Sequence, residues 1–352
     1  MIDSEGDSVA DVVCTQCIGV GTALIIANCC VVGSEVGIST TSPSRKPRSR
    51  FQAVFASTAS SSALLSDDDA NTLAGHIMYL FIKQDTKKLD LLLYDYMGAK
   101  ARQFGDELKD LMDEAGVDRV LVCPPTWDLD RNDLGLAAAA KYPDRFGLMA
   151  RVPLLDPETG KALLKSWQDL PGVKGVRLTF FRPAETTWLN DGTADWYWPI
   201  AEELNIPTMV HPGKFKQEIA GVAQKYPGLA LMLDHMGVPG GITDDAITPF
   251  VEETAALSQY PNLSVKVSGL PAKSSEPYPY TNLNGSVRTL VDAFGPRRCF
   301  WGTDLSRMLG FCEVTYRQCV THFTEHADCL SDYELEWIMG RALCEAVNWP
   351  AG

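Results

Sequence analysis

From about residue 86 to its end the chain alternates between helical and strand-like hydrophobic patterns, and this alternation constrains its fold more than any other feature. Ala99 to Ala115 places Phe104, Leu108, Leu111 and Met112 on one helical face, and Gly116 ends that helix. Arg119 to Cys123 is then a short apolar run, as a strand buried on both faces requires. The cycle repeats with helices over Leu134–Tyr142, Thr159–Asp169, Trp196–Leu204, Gln217–Tyr226, Ile247–Tyr260 and Ser286–Phe294. The strands between them are Phe146–Val152, Val173–Phe180, Pro207–Val210, Leu229–Leu233, Leu263–Val267 and Cys299–Trp301. Two closing helices, Glu313–Glu325 and Asp332–Leu343, follow.

Strands that alternate with helices pair in parallel through right-handed crossovers. Seven legible strands imply an eighth that is obscured, hence an α/β fold, a (β/α)8 TIM barrel spanning 86–352. An open doubly wound sheet lacks its fingerprint, since Gly19-Val-Gly21 has no third glycine and follows no clear strand. Residues 1–85 read as an irregular N-terminal extension. Val12 to Gly33 is uncharged, and its length leaves membrane or organelle targeting open, but Thr15, Gln16, Thr22 and Asn28 within it argue against a membrane span. The expected compartment is cytoplasmic.

A net charge of −14 argues against a nucleic-acid partner, because phosphate binding needs clustered Lys and Arg. Acidity does not argue against an anionic substrate, which responds to the local field of a cleft. Of ten cysteines, Cys123, Cys299, Cys312, Cys319, Cys329 and Cys344 are scattered through regular elements, as buried thiols in a reducing compartment would be. Cys14-Thr-Gln-Cys17 has metal or redox spacing but no second pair nearby.

Barrel chemistry sits at the C-terminal ends of the strands. Those ends carry Trp127, Arg151, Arg177, His211, His235, Ser268 and, in Trp301-Gly-Thr-Asp304, a carboxylate. Only five histidines occur in the chain, and two of them directly follow successive strands. Two imidazoles and a carboxylate suit zinc or a similar metal, and the carboxylate can also take a proton from water. A planar guanidinium at Arg177 or Arg151 would hold a substrate carboxylate, or else form a structural ion pair. Trp127 and Trp301 would wall a ring or pack the core. His322 and His326 have helical spacing away from the strand ends and are expected at the surface.

Pro207-Thr-Met-Val-His211-Pro-Gly, Leu233-Asp-His235-Met-Gly and Phe300-Trp-Gly-Thr-Asp304 resemble the fifth, sixth and eighth strand ends of the amidohydrolase-related family, over about residues 89–350. The resemblance implies a TIM-barrel hydrolase or decarboxylase. It makes His211 a metal ligand, His235 a substrate-polarising group or second ligand, and Asp304 the ligand and general base. The family opens with a strand ending in His-x-His, and this chain has none. Met1-Ile-Asp-Ser4 resembles that strand, with Glu5 and Asp7 where the histidines belong. Carboxylates there would favour a harder metal such as manganese. If the first strand is instead His76–Ile82, no ligand pair closes the site, and a metal-free mechanism stays open.

The activity expected is hydrolysis of a small cyclic ester (a lactone) or amide bearing a carboxylate, with Asp304 activating water. Nonoxidative decarboxylation on the same barrel is the second expectation. A non-catalytic ligand-binding barrel that lost its His-x-His pair is the third. The partner in each case is a small molecule, and a homo-oligomer is left open.

Overall fold

The computed structural model describes residues 105–125 and 130–350, except 306, 309–311 and 313. The segment 1–85 therefore lies outside the described residues, with its uncharged stretch, its CxxC and both alternative first strands. So do the ligand candidates Glu5 and Asp7, and Trp127.

Seven strands follow one another: β1 (Val120–Val122), β2 (Phe146–Ala150), β3 (Val173–Thr179), β4 (Thr208–His211), β5 (Leu231–Leu233), β6 (Leu263–Ser268) and β7 (Cys299–Gly302). They pair in parallel and in chain order, as right-handed crossovers dictate. Helix α1 (105–115) precedes β1, and the helices between the strands are α2 (Asp133–Lys141), α3 (Pro157–Lys165), α4 (Tyr197–Glu203), α5 (Lys216–Lys225), α6 (Thr248–Ala256) and α7 (Asn284–Phe294). Then come α8 (Tyr316–His326), α9 (Asp332–Glu336) and α10 (Ala342–Ala346). This is the curled parallel sheet of the TIM barrel, and β1 and β7 end its strand order. Both of them line one cavity of about 1130 Å³.

The two faces of the sheet separate structure from chemistry. One row of side chains, including Val176, Leu178, Val210, Leu231, Leu233, Val265, Val267 and Cys299, joins the apolar shell under the helices. The alternate row points inward. Met149, Met209, Met232 and Phe300 pack there with Trp337 and Trp349 as a floor. Above that floor the same row carries Arg151, Arg177, His211, Asp234, Lys266 and Ser268, because successive residues of a strand face opposite sides. A register shift between Leu148 and Met149 sets the phase of β2 against β3. Beside it, a Cβ at Gly175 would stand 2.2 Å from the Pro207 carbonyl oxygen, so only glycine fits the close approach.

The helices start and stop for local reasons. Asp156 accepts the Thr159 amide at the start of α3, with Pro157 in the first turn. Thr315 with Gln318 and Ser331 with Glu334 form capping boxes on α8 and α9. The single closing helix expected over Asp332–Leu343 is broken, with a π-helical turn over Trp337–Arg341 in its middle. The six cysteines of this region are all free thiols. No described helix is long and apolar enough to cross a membrane.

One sequence expectation is corrected. His322 is not at the surface but 1% exposed. The segment after β6 folds over α8, bringing the Pro279 carbonyl onto His322 Nδ1 and the Tyr280 ring to 5.6 Å. Spacing within one helix cannot reveal a face that a distant loop covers.

Candidate active site

Three strand ends supply the chemistry. β4 ends at His211, β5 is followed by Asp234 and His235, and β7 runs through Gly302 to Asp304. The backbone there departs from ordinary geometry. His235, Met236 and Gly237 are successively left-handed, with φ of 51°, 59° and 63°, and Asp304 has φ 56°. Non-glycine residues in this region cost about 1–3 kcal/mol each and cluster at functional sites. The turn swings the His235 ring toward β6 and β7. Its Nδ1 hydrogen-bonds the buried Ser268 hydroxyl at 2.9 Å, and its Nε2 stands 3.9 Å from Asp304 Oδ2. The rings of His211 and His235 are 5.5 Å apart, edge to face.

Both imidazoles are neutral near pH 7. Burial, and next the His235 ring, pushes the His211 pKa down to about 3. Burial also lowers that of His235, against the opposing pull of Asp304 and Asp234. The Gly213 amide donates to His211 Nδ1 at 3.3 Å, so in the neutral ring the proton sits on Nε2. His211 is therefore a donor at Nε2, and its ring lies tilted by 40° against Phe181, 4.4 Å away.

Beneath the histidines lies a buried charge cluster. The Asp234 carboxylate is wholly inaccessible and accepts from Arg177 Nε at 2.9 Å and Lys266 Nζ at 2.7 Å. Burial alone would raise its pKa, but Lys266 and Arg177 hold it well below the ordinary carboxylate value. Arg177 also donates to the Pro124 carbonyl, and Arg151 donates to the Arg177 carbonyl and the Thr179 hydroxyl. Burial, and next the Arg177 charge, brings Arg151 down to about 10.

The structure thus brings His211, His235, Ser268 and Asp304 to one strand-end cluster, with Arg177 and Arg151 in the same inward row. Arg177 lines both the large cavity and a smaller one of about 60 Å³, shared with Arg151, Asp130 and Glu185. Trp301 falls in the other register. It packs against the apolar clusters that contain Leu108, Tyr316 and Met308, outside the strand row that holds the histidines. Asp234 and Lys266 carry the cluster yet received no role from the sequence. The available signal was Lys266 itself, a lone charge in the apolar run Leu263-Ser-Val-Lys-Val-Ser268.

Among the described residues the donor set does not fit a metal ion. Among the described residues no three His, Cys, Asp or Glu groups are gathered closely enough to hold one. His211 presents a hydrogen on Nε2 and an occupied Nδ1, and His235 Nδ1 is engaged by Ser268. Glu5 and Asp7 lie outside the described residues, so the carboxylate substitution for His-x-His remains an expectation.

Residues 89–341 match the amidohydrolase family. An L-fucono-1,5-lactonase from Burkholderia ambifaria is 26% identical over 219 residues, covering 59% of this chain and 73% of that protein. An amidohydrolase from Burkholderia multivorans, solved with bound zinc, superposes with a TM-score of 0.60 at 16% identity, over 70% of this chain and 88% of its own. A probable 2-pyrone-4,6-dicarboxylic acid hydrolase from Acinetobacter baumannii, solved with citric acid bound, gives a TM-score of 0.57 at 19% identity, over 69% and 88%. At such identities the two structures establish the shared fold.

Proposed function

Because the chain belongs to the amidohydrolase family, we propose that it is a hydrolase that opens a small, carboxylate-bearing lactone, with Asp304 as the general base. The observation that carries this reading is the pairing of Asp304 with His235 at a strand end, 3.9 Å apart and open to the cavity. A carboxylate in that position has no cation within 4 Å among the described residues, so packing explains it poorly.

Each residue has a task. Asp304 accepts a proton from the attacking water. His211, neutral with hydrogen on Nε2, donates to the carbonyl oxygen as negative charge develops there. Ser268 fixes the His235 ring, and His235 completes the polar wall facing Asp304. Arg177 and Lys266 bring two positive charges against the single negative charge of Asp234. Arg177 and Arg151 are the cations toward which a substrate carboxylate would turn, in a small cavity they share with Asp130 and Glu185. No step is routed through a metal, because the described residues do not fit one.

The test uses L-fucono-1,5-lactone and 2-pyrone-4,6-dicarboxylate as a neutral and an anionic lactone. Purified protein should open the anionic ring with no carbon lost. Asp304→Asn, isosteric but not basic, should lower kcat by at least about a hundredfold at unchanged melting temperature. Release of CO₂ from aromatic acids instead of ring opening would assign decarboxylation. Near-normal turnover by Asp304→Asn would remove Asp304 from the mechanism.

A further inference from the structure

The small cavity beside Arg151 and Arg177 has about 60 Å³ of free space, room for one carboxylate group, and five charged side chains line it. Arg177 is engaged by Asp234, and Arg182 by the buried Glu185, 2.7 Å away. The Thr179 hydroxyl donates to Glu185 as well, at 3.2 Å. The other two charges are Arg151, 4% exposed, and Asp130. Asp130 stands in the segment after β1. Its neighbour Arg131 pairs with Asp133 instead, and Asp130 makes no ion pair within 4 Å among the described residues.

A carboxylate of the protein therefore shares the cavity with the cations that a substrate carboxylate would seek. Asp130 is an exposed residue at the rim, yet burial of its carboxyl pushes its pKa up, against the pull of Arg151 and Arg182 and with Glu185 adding to the rise. The remaining walls, Leu154, Leu155 and Trp188, screen charge poorly. A second anion placed beside an ionised Asp130 in so small a space would meet like-charge repulsion. Protonation removes that repulsion and turns Asp130 into a hydrogen-bond donor toward the guest. Binding and protonation are then linked, so an anion that prefers the protonated form must draw in a proton.

We propose that Asp130 guards the carboxylate pocket beside Arg151 and takes up a proton when an anion enters, so that the pocket binds a carboxylate together with a proton. This deepens the reading of Arg177 and Arg151 as the cations that meet the substrate carboxylate, and rests on it. The proton comes from solvent and ends on one Asp130 oxygen, which then donates to the bound anion. A neutral lactone places no charge in the pocket and binds without it.

The test measures binding without turnover, so it stands apart from the hydrolysis assignment. The full-length protein is titrated calorimetrically between about pH 5 and 8 with trifluoroacetate, a carboxylate that stays ionised throughout, in buffers of different ionisation enthalpy. Affinity should fall as pH rises between the pKa of Asp130 in the unbound and in the bound protein, by up to about tenfold per pH unit. The heats should show uptake of up to about one proton per anion bound. Asp130→Asn should bind the anion with little dependence on pH and without proton uptake, and about tenfold or more tighter than the unaltered protein at the alkaline end. Glu252→Gln, which removes the same charge from an exposed position on α6, should keep the pH dependence. Affinity independent of pH in the unaltered protein overturns the inference, as does undiminished proton uptake in a folded Asp130→Asn variant. Absence of binding at every pH in both proteins overturns it together with the carboxylate pocket itself. Proton-linked binding by a protein that opens no lactone leaves the inference standing and removes only the hydrolysis assignment.

Discussion

Asp234 is the residue whose loss should do most damage to the barrel. Its two carboxylate oxygens each take one buried cation, Arg177 at 2.9 Å and Lys266 at 2.7 Å. At an effective dielectric of about 20, each contact is worth roughly 6 kcal/mol of attraction. Desolvation of three buried charges offsets most of that, at several kcal/mol per ion. The imbalance appears when one partner goes. Asp234→Asn keeps the shape and one acceptor oxygen but turns an amide NH₂ toward the other cation. The variant should lose about 3–5 kcal/mol, the usual cost of stranding a buried charge. Urea unfolding at pH 7 measures it, and adding Lys266→Met should recover more than about 1 kcal/mol, since contacting residues couple. The pH dependence follows from the sign of the shift. Asp234 has a folded pKa held below its unfolded value of about 3.9. Its contribution is complete above that value and is lost as pH falls through the folded pKa. The unaltered protein should therefore lose this contribution below about pH 4, and the variant, already lacking it, should show a shallower acid limb. A loss under about 1 kcal/mol at pH 7, with an unchanged denaturant slope, would refute the account of the cluster.

Two further outcomes are expected. Gly175→Ala places a methyl 2.2 Å from the Pro207 carbonyl, so it should destabilise by about 3 kcal/mol, the upper end for overpacking, in a calorimetric melt. His211 is held neutral, its pKa pushed from its ordinary value down to about 3, so its contribution is complete above about pH 6.5 and lost as pH falls toward 3. Between pH 6 and 4 that protein should lose up to about 1.4 kcal/mol more per pH unit than His211→Gln, and parallel stability curves would show that His211 is not held neutral.

The order of elements was legible because each strand is a short apolar run between amphipathic helices, and runs such as Val173–Phe180 differ from β3 by a single residue. Strand-end position also singled out His211, His235 and Asp304, since in a barrel chain order maps onto spatial position. What stayed hidden depends on registers and loops. Trp301 and Asp304 are three residues apart and face opposite sides, and alternation alone does not say which side is inward. The Asp234 cluster joins β3, β5 and β6, and no local pattern records which cation meets which oxygen. Arg307 lies three residues beyond Asp304, at a spacing that suits an ion pair, whereas the structure gives them a backbone hydrogen bond and no ion pair.

The run of left-handed residues at His235, Met236 and Gly237 restricts what can replace them. A side chain at 235 must provide an imidazole and also tolerate a φ of 51°, which few residues with a Cβ do at low cost. At 237 even that latitude is gone, because a Cβ would sit 2.6 Å from the Thr254 hydroxyl. An alanine scan across this turn would therefore mix two effects, lost chemistry and a backbone pushed toward another conformation. Asn and Gly at 235 separate them, since both accept the left-handed geometry without the ring. The same constraint narrows the route by which such a barrel could exchange one reaction for another. Strand ends with ordinary backbone, such as Ser268, can change residue at no conformational cost, whatever contact is lost. The β5 turn can change only by steps that preserve its hand.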